Sequence, residues 1–319
     1  MTVPLFGHEL LPGKIIIFLP LALLLFLSHE ELYGIFKVWK KILIFFSLYA
    51  LVIYVLFALG IDIPHWKIKN SEYIPATIRD MHYYRVYGFV VSSTNTLVQM
   101  GGLVIQRICG PFAEPGHFAI YLGFTIFIDR LRGNKMNIIL LITGFLTLSA
   151  AFAIILVIIE LYRLTIEKRF NLKLYLSILF VILLLGMFKG KEIKEAIIYN
   201  IIERHSDLDK RSPKAVRAKF ESFMRSSKVF TGLGIKDMQS FGGSLSDPRG
   251  MIAKFGLIGL FLSLTIIFLL VFRLEMKYAI FLFAAVMMVY MHRVWMFENT
   301  SIYTFIILAN SSIRLRCLT

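Results

Sequence analysis

The chain has 319 residues, of which 58% are apolar, against roughly 45–50% in an average soluble protein. That excludes an ordinary soluble fold: one membrane-crossing helix uses about 20 apolar residues, and the roughly 185 present are enough for about eight or nine. A net charge of +15 would suggest nucleic-acid binding in a soluble protein, but in a membrane chain its meaning depends on which side of the bilayer each loop occupies. The two cysteines, Cys109 and Cys317, encode neither a disulfide framework nor a cysteine-based metal site.

The first apolar run covers residues 10 to 28. It follows MTVPLFGHE, which has no basic stretch, and no A-x-A site comes after it, so it reads as a retained first span rather than a cleaved signal. Further runs follow at 42 to 61, 112 to 128, 136 to 159, 174 to 188, 255 to 272, 278 to 291 and 299 to 313. The short connectors are basic: Lys37, Lys40 and Lys41; Arg130, Arg132 and Lys135; Arg163, Lys168, Arg169 and Lys173; Arg273 and Lys277; Arg314 and Arg316. Lys and Arg in short loops mark the cytoplasmic face. All five groups fall on that face only if the 136 to 159 run crosses twice, as two helices meeting near Thr147, Leu148 and Ser149. The expected fold is therefore all-α: a polytopic integral membrane protein of about nine transmembrane helices, forming a single membrane domain over residues 1–319.

Two longer polar segments are then left outside, residues 62–111 and 189–250, the second expected to be a helical extracytoplasmic loop. It carries 13 basic and 8 acidic residues, which is no strong breach of the positive-inside rule, because the rule weakens for loops of that length. The uncharged stretch 86 to 106, VYGFVVSSTNTLVQMGGLVIQ, would invert every later loop if it crossed. It is placed instead as an interfacial or re-entrant piece buried against protein. No internal repeat is evident, which disfavours a repeat-built transporter.

Two clusters could carry chemistry. The first is Arg107-Ile-Cys-Gly-Pro-Phe-Ala-Glu-Pro-Gly-His117, where the outer segment meets the 112 to 128 run. Pro115 suits the first turn of a helix, with Glu114 at or near its N-cap. Such a start is also an ordinary capped helix; its functional reading is an anion site for phosphate or pyrophosphate, combining arginine with a helix N-terminus. The second cluster holds Arg204, His205, Arg211, Arg217 and Arg225. A mixed-charge run is usually a solvated helical face, but Arg204, Arg211 and Arg225 are spaced seven and fourteen residues apart, near one face of a helix. No P-loop, dinucleotide glycine pattern or metal-ligand motif occurs, so no cofactor or metal is expected.

The string Arg107 to Gly116, read as R-x-x-G-x-F-x-E-P-G before an apolar helix, resembles the signature of bacterial O-antigen and exopolysaccharide repeat-unit polymerases of the Wzy type, and of the related O-antigen ligases. Further points of resemblance are Leu-Thr-Leu-Ser149 within an apolar run, a long Arg-rich outer loop, Gly232-Leu233-Gly234, and Phe255-Gly256-Leu257-Ile258-Gly259 opening the next span. The resemblance covers roughly residues 75 to 300. It implies a glycosyltransferase of polysaccharide biosynthesis in the bacterial cytoplasmic (inner) membrane, multi-pass. On the outer face, such an enzyme moves a growing glycan from undecaprenyl pyrophosphate to an incoming lipid-linked repeat unit, without a metal. The family's pyrophosphate-holding arginines map by motif position to Arg107; in the second loop Arg204, Arg211, Arg217 and Arg225 stay open. The partners implied are the undecaprenyl-pyrophosphate-linked oligosaccharide and the bilayer, with a chain-length regulator left open and no nucleic acid.

Chemically, cleavage of an anomeric C–O bond to pyrophosphate builds negative charge that guanidinium groups stabilise. The attacking hydroxyl needs a proton acceptor, a role that Glu114, His117 or His205 could fill, with Glu114 favoured for its place beside the membrane. The rivals are an O-antigen ligase with a lipid A core acceptor and, from another class, a transporter or flippase of lipid-linked sugars, for which broken helices would be expected.

Overall fold

The computed structural model describes residues 21–69, 83–93, 97–100, 103–112, 114–168, 214–234, 248–292 and 301–318. The run expected at 174 to 188, and most of that at 10 to 28, lie outside the described residues. The chain is mostly helical. In order, its helices are α1 (His29–Ala58), α2 (Pro115–Leu131), α3 (Ile138–Leu146), α4 (Ala150–Thr165), α5 (Lys214–Met224), α6 (Pro248–Val271), α7 (Met276–His292) and α8 (Ser301–Leu318). Two compact units are formed. Unit one comprises Met1–Lys41, Phe124–Met136 and Leu208–Thr319, and unit two Ile42–Gly123 and Asn137–Asp207.

α1 and α6 are long and apolar enough to cross a membrane. α1 starts at a capping box, in which Ser28 Oγ accepts from the Glu31 amide (3.3 Å) and Glu31 Oε2 accepts from the Ser28 amide (2.8 Å). Its 30 residues rise about 45 Å, so the basic connector Lys37, Lys40 and Lys41 is not a loop but the first turns of the same helix. The apolar residues Ile35, Val38, Ile42, Phe45, Leu48, Val52 and Val55 stay exposed along it at three- and four-residue steps. In water such a stripe is a liability; in a bilayer it is the surface that meets lipid. On α6, Leu257, Ile258, Phe261, Phe268 and Leu269 are exposed in the same way.

The apolar run 136 to 159 is divided, and the division falls at Thr147, Leu148 and Ser149. Asn137 caps α3, its Oδ1 accepting from the amides of Ile139 (3.0 Å) and Leu140 (3.2 Å). α3 ends at Leu146, Leu148 turns to a φ of +47°, and α4 begins at Ala150. Phe145 and Phe152 meet edge to face across the turn, 5.6 Å between centroids. The nine residues of α3 rise only about 14 Å, too little to cross a core of about 30 Å.

Among the described residues, five short strands interrupt the helices between residues 62 and 111: β1 (Trp66–Lys69), β2 (Tyr83–Tyr87), β3 (Val90–Ser93), β4 (Leu97–Met100) and β5 (Leu103–Gln106). β1, β2 and β3 form one antiparallel sheet in that order, and β4 pairs with β5. Sequence reading placed a re-entrant piece here without assigning strands, although Tyr83-Tyr-Arg-Val-Tyr87 is rich in the aromatic and β-branched residues that pleated backbone accommodates. Four or five residues at about 3.3 Å each cannot cross a bilayer. Within unit two the β2–β3 hairpin lies beside the apolar part of α1: Tyr87 meets Phe57 at 4.9 Å, and Phe89 in the turn meets Phe45, Phe46 and Tyr49 at 5.7 to 6.1 Å.

In unit one, α6 is also interrupted. Gly256 has φ 69° and ψ 179°, which no helix contains. The loop before the span fills the gap: the Leu233 amide donates to Ala253 O (2.8 Å) and the Ile258 amide to Phe230 O (3.1 Å). A β-carbon on Gly232, whose φ is +81°, would stand 2.5 Å from Lys254 O, and one on Gly256 would run into Phe230 O. Beside this contact α5 packs its apolar side, with Phe223, Val229 and Ala253 buried together and Phe220, Leu233 and Ile252 against them.

Gly232→Ala is expected to lower thermal stability in detergent by about 1–2 kcal/mol from the left-handed backbone alone, and further from the carbonyl contact. An unchanged melting temperature would show that the loop does not seat on α6.

Candidate functional site

The site is built in unit two around the break between α3 and α4. A helix end leaves its last carbonyls without partners, and here those of Leu146, Thr147 and Leu148, at and just past the end of α3, are met from the segment that precedes α2. The Ile108 amide donates to Leu146 O (3.1 Å), Arg107 Nε to Thr147 O (2.8 Å) and Arg107 Nη2 to Leu148 O (3.1 Å). The rigid fork of the guanidinium suits two adjacent carbonyls in a way a single ammonium would not. Thr147 adds an internal bond, its Oγ1 donating to Gly144 O at 2.6 Å.

The rest of the motif is pinned on both sides. The Val91 amide of β3 donates to Gly110 O (2.8 Å). Cys109 is buried, and Phe112 stacks on Tyr121 of α2 at 4.8 Å and 13°. α2 then starts at Pro115, with the His117 amide bonded to Glu114 O (3.1 Å). The Glu114 side chain is 50% exposed, and its Oε2 lies 3.6 Å from His117 Nε2. A carboxylate and an imidazole therefore sit together at the start of a helix whose N-terminal amides favour negative charge. Arg107, Ile108 and Cys109, with Ala50, Ile53, Tyr54, Phe57 and Val90 to Ser92, line a shallow depression of about 10 Å³, room for about one water molecule.

The second cluster is described only in part. Arg204, His205 and Arg211 lie outside the described residues. Arg217 stands on α5, and exposed Arg225 follows the last residue of that helix, its amide bonded to Ser222 O (3.2 Å). The chain then enters a short 3-10 turn at Ser227–Val229, so Arg225 sits at a helix end rather than in the middle of a continuous helical face. Among the described residues no group of three or more His, Cys, Asp or Glu is arranged to hold a metal.

Sequence reasoning found Arg107, Glu114 and His117 but not what Arg107 touches. The carbonyls of Thr147 and Leu148 are backbone groups, and their only sequence signal was the Thr-Leu-Ser interruption of an apolar run. No family model, no curated protein and no solved structure matches this chain.

Arg107→Ala leaves two carbonyls without their charged donor, at about 1.5–3 kcal/mol per bond. The melting temperature is expected to fall by several degrees, with Arg107→Lys intermediate. Equal stability of all three forms would mean that Arg107 does not hold the break.

Proposed function

We propose that the chain is a polytopic membrane glycosyltransferase, a repeat-unit polymerase that transfers a growing glycan from undecaprenyl pyrophosphate to an incoming lipid-linked unit on the outer face of the cytoplasmic membrane. The observation that carries this reading is that the segment Arg107 to His117, on which the family resemblance rests, is a pinned loop. It presents an arginine, a carboxylate and an imidazole where an outer segment joins an apolar helix.

In this reading the acceptor hydroxyl oxygen attacks the anomeric carbon, and a new C–O bond forms as the bond to the pyrophosphate oxygen breaks. The electron pair leaves with undecaprenyl pyrophosphate, and the hydroxyl proton passes to Glu114, oriented by His117. Arginine stabilises the departing charge, with Arg107 from the first loop and Arg204, Arg211, Arg217 and Arg225 as candidates from the second. His205 remains the alternative base.

The sidedness this needs rests on the basic connectors and is compatible with the geometry of α3 and α4. The basic connectors require only that both ends of the pair lie on one face, and a re-entrant helix pair satisfies that as well as two full crossings. We therefore replace two of the nine crossings, both of those assigned to the 136 to 159 run, by one re-entrant pair held at its break, which leaves seven. A second reading, a transporter of lipid-linked sugars, is favoured by one observation, the interruptions at Leu148 and Gly256. Discontinuous helices are common in transporters. An O-antigen ligase would share the donor and differ only in acceptor.

Purified protein given a lipid-linked repeat unit should release undecaprenyl pyrophosphate and lengthen the glycan; substrate that changes leaflet unaltered would replace the polymerase with the transporter. Glu114→Gln should lower turnover by about 10²–10⁴-fold with stability changed by less than about 0.5 kcal/mol, as at other exposed positions. Full activity would remove Glu114 as the base. Cys317 is exposed and Cys109 buried, so an impermeant maleimide should label Cys317 from the inner face alone. Labelling of Cys317 from outside would reverse the topology.

A further inference from the structure

At the C-terminal end of α2, in unit one, cations outnumber what the fold itself uses. Arg316 Nη1 donates to Leu131 O (2.9 Å), capping the carbonyl end of the helix, and Arg130 Nη1 donates to Asn134 O (2.8 Å) in the turn that follows. Lys40 pairs with buried Asp129 at 2.5 Å, and Asn134 Nδ2 donates to the same carboxylate at 3.1 Å. Arg132 is different. Its guanidinium lies over the Tyr33 ring at 3.8 Å, Nη1 is buried with no hydrogen-bond acceptor, and Lys37 Nζ stands 5.1 Å from the same ring. The contacts joining these side chains thus gather five cations and a single carboxylate.

Two cations converge on one ring with no carboxylate partner among the described residues. The ring face holds the guanidinium in place electrostatically without neutralising it. Lys37 is exposed and Arg132 half-buried, so the pair opens to the surroundings at the end of the apolar helices. Basic pockets between membrane helices at the cytoplasmic face are suited to anionic headgroups.

We propose that Arg132 and Lys37, ordered on Tyr33 beside Arg316, bind the phosphate of an anionic phospholipid in the inner leaflet. This rests on the membrane-spanning reading and on its sidedness, and is independent of the glycan chemistry. The shared chemistry is a phosphate; the headgroup rather than a soluble anion is its source, because Lys37 stands on α1 beside the exposed apolar residues Ile35 and Val38.

The test uses the full chain in detergent, with phosphatidylglycerol, phosphatidylcholine or inorganic phosphate added, and reads bound lipid by native mass spectrometry together with thermal unfolding. Phosphatidylglycerol should be retained over phosphatidylcholine, and Arg132→Gln and Lys37→Gln should each reduce retention about fivefold, the effect of one basic residue at a charged surface. Lys37 is exposed, so its variant keeps the test decisive if Arg132→Gln does not fold. Equal retention of both lipids, or variants that bind as the parent does, would overturn the site. Stabilisation by inorganic phosphate equal to that by lipid would overturn the headgroup as its source. Carbonate washing of membranes from the same cells separates the two layers of the claim. A chain that stays embedded yet shows no lipid preference loses only the headgroup site; a chain that washes off loses the membrane reading itself.

Discussion

A helix that stops among apolar residues leaves carbonyls that apolar surroundings cannot hydrogen-bond, and in each compact unit a loop meets that constraint. At the α3–α4 break the donors are Arg107 and the Ile108 amide. At Gly256 the Leu233 amide donates from the loop around Gly232, and Phe230 O of the same loop accepts from the Ile258 amide. In each case the partner is a polar segment that precedes the broken helix in the chain. Each break is thus tied to a loop, and each loop is held to one conformation by the break it completes.

That arrangement gives Arg107 a structural duty beside any chemical one. Its guanidinium is fixed by two carbonyls before substrate arrives, and a preorganised cation stabilises charge on a leaving group without reorganising at the moment of reaction. It also explains why the motif couples an arginine to Gly110, Phe112 and Pro115. Gly110 O takes the β3 amide, Phe112 packs on α2, and Pro115 starts that helix, which places Glu114 and His117 3.6 Å apart beside the same loop. Losing Arg107 therefore disturbs the loop as well as its charge, whereas Glu114, half exposed, separates chemistry from folding.

Much of the helical layout was legible because a run of apolar residues is a physical statement about solvent. The runs at 255 to 272, 278 to 291 and 299 to 313 correspond to α6, α7 and α8, and the division near Thr147 was visible from the side on which the basic connectors must lie. Helix ends were less legible: α1 continues through Lys37, Lys40 and Lys41 because lysine is a good helix former and Ser28 supplies a cap well upstream. The strands between residues 62 and 111 were missed because their stabilisation comes from pairing, as of Tyr84 with Ile68 and Ser93, which is not local in sequence. At the site, residue types pointed to Arg107, Glu114 and His117. The carbonyls that hold Arg107 have no residue signature, since every residue carries one.

The basic residues, first met as a net charge of +15, divide by environment. Some close helix ends, as Arg107 and Arg316 do; Arg130 holds the turn after α2; Arg132 and Lys37 gather on Tyr33. The central claim is that the lipid-linked donor binds where the first outer segment completes the α3–α4 break. Hydrogen–deuterium exchange on the reconstituted full chain, with and without a lipid-linked repeat unit, tests it most directly. The account predicts slowed exchange in peptides covering residues 107–117 and 146–149. Unchanged exchange in both peptides, with protection confined to other parts of the chain, would contradict it.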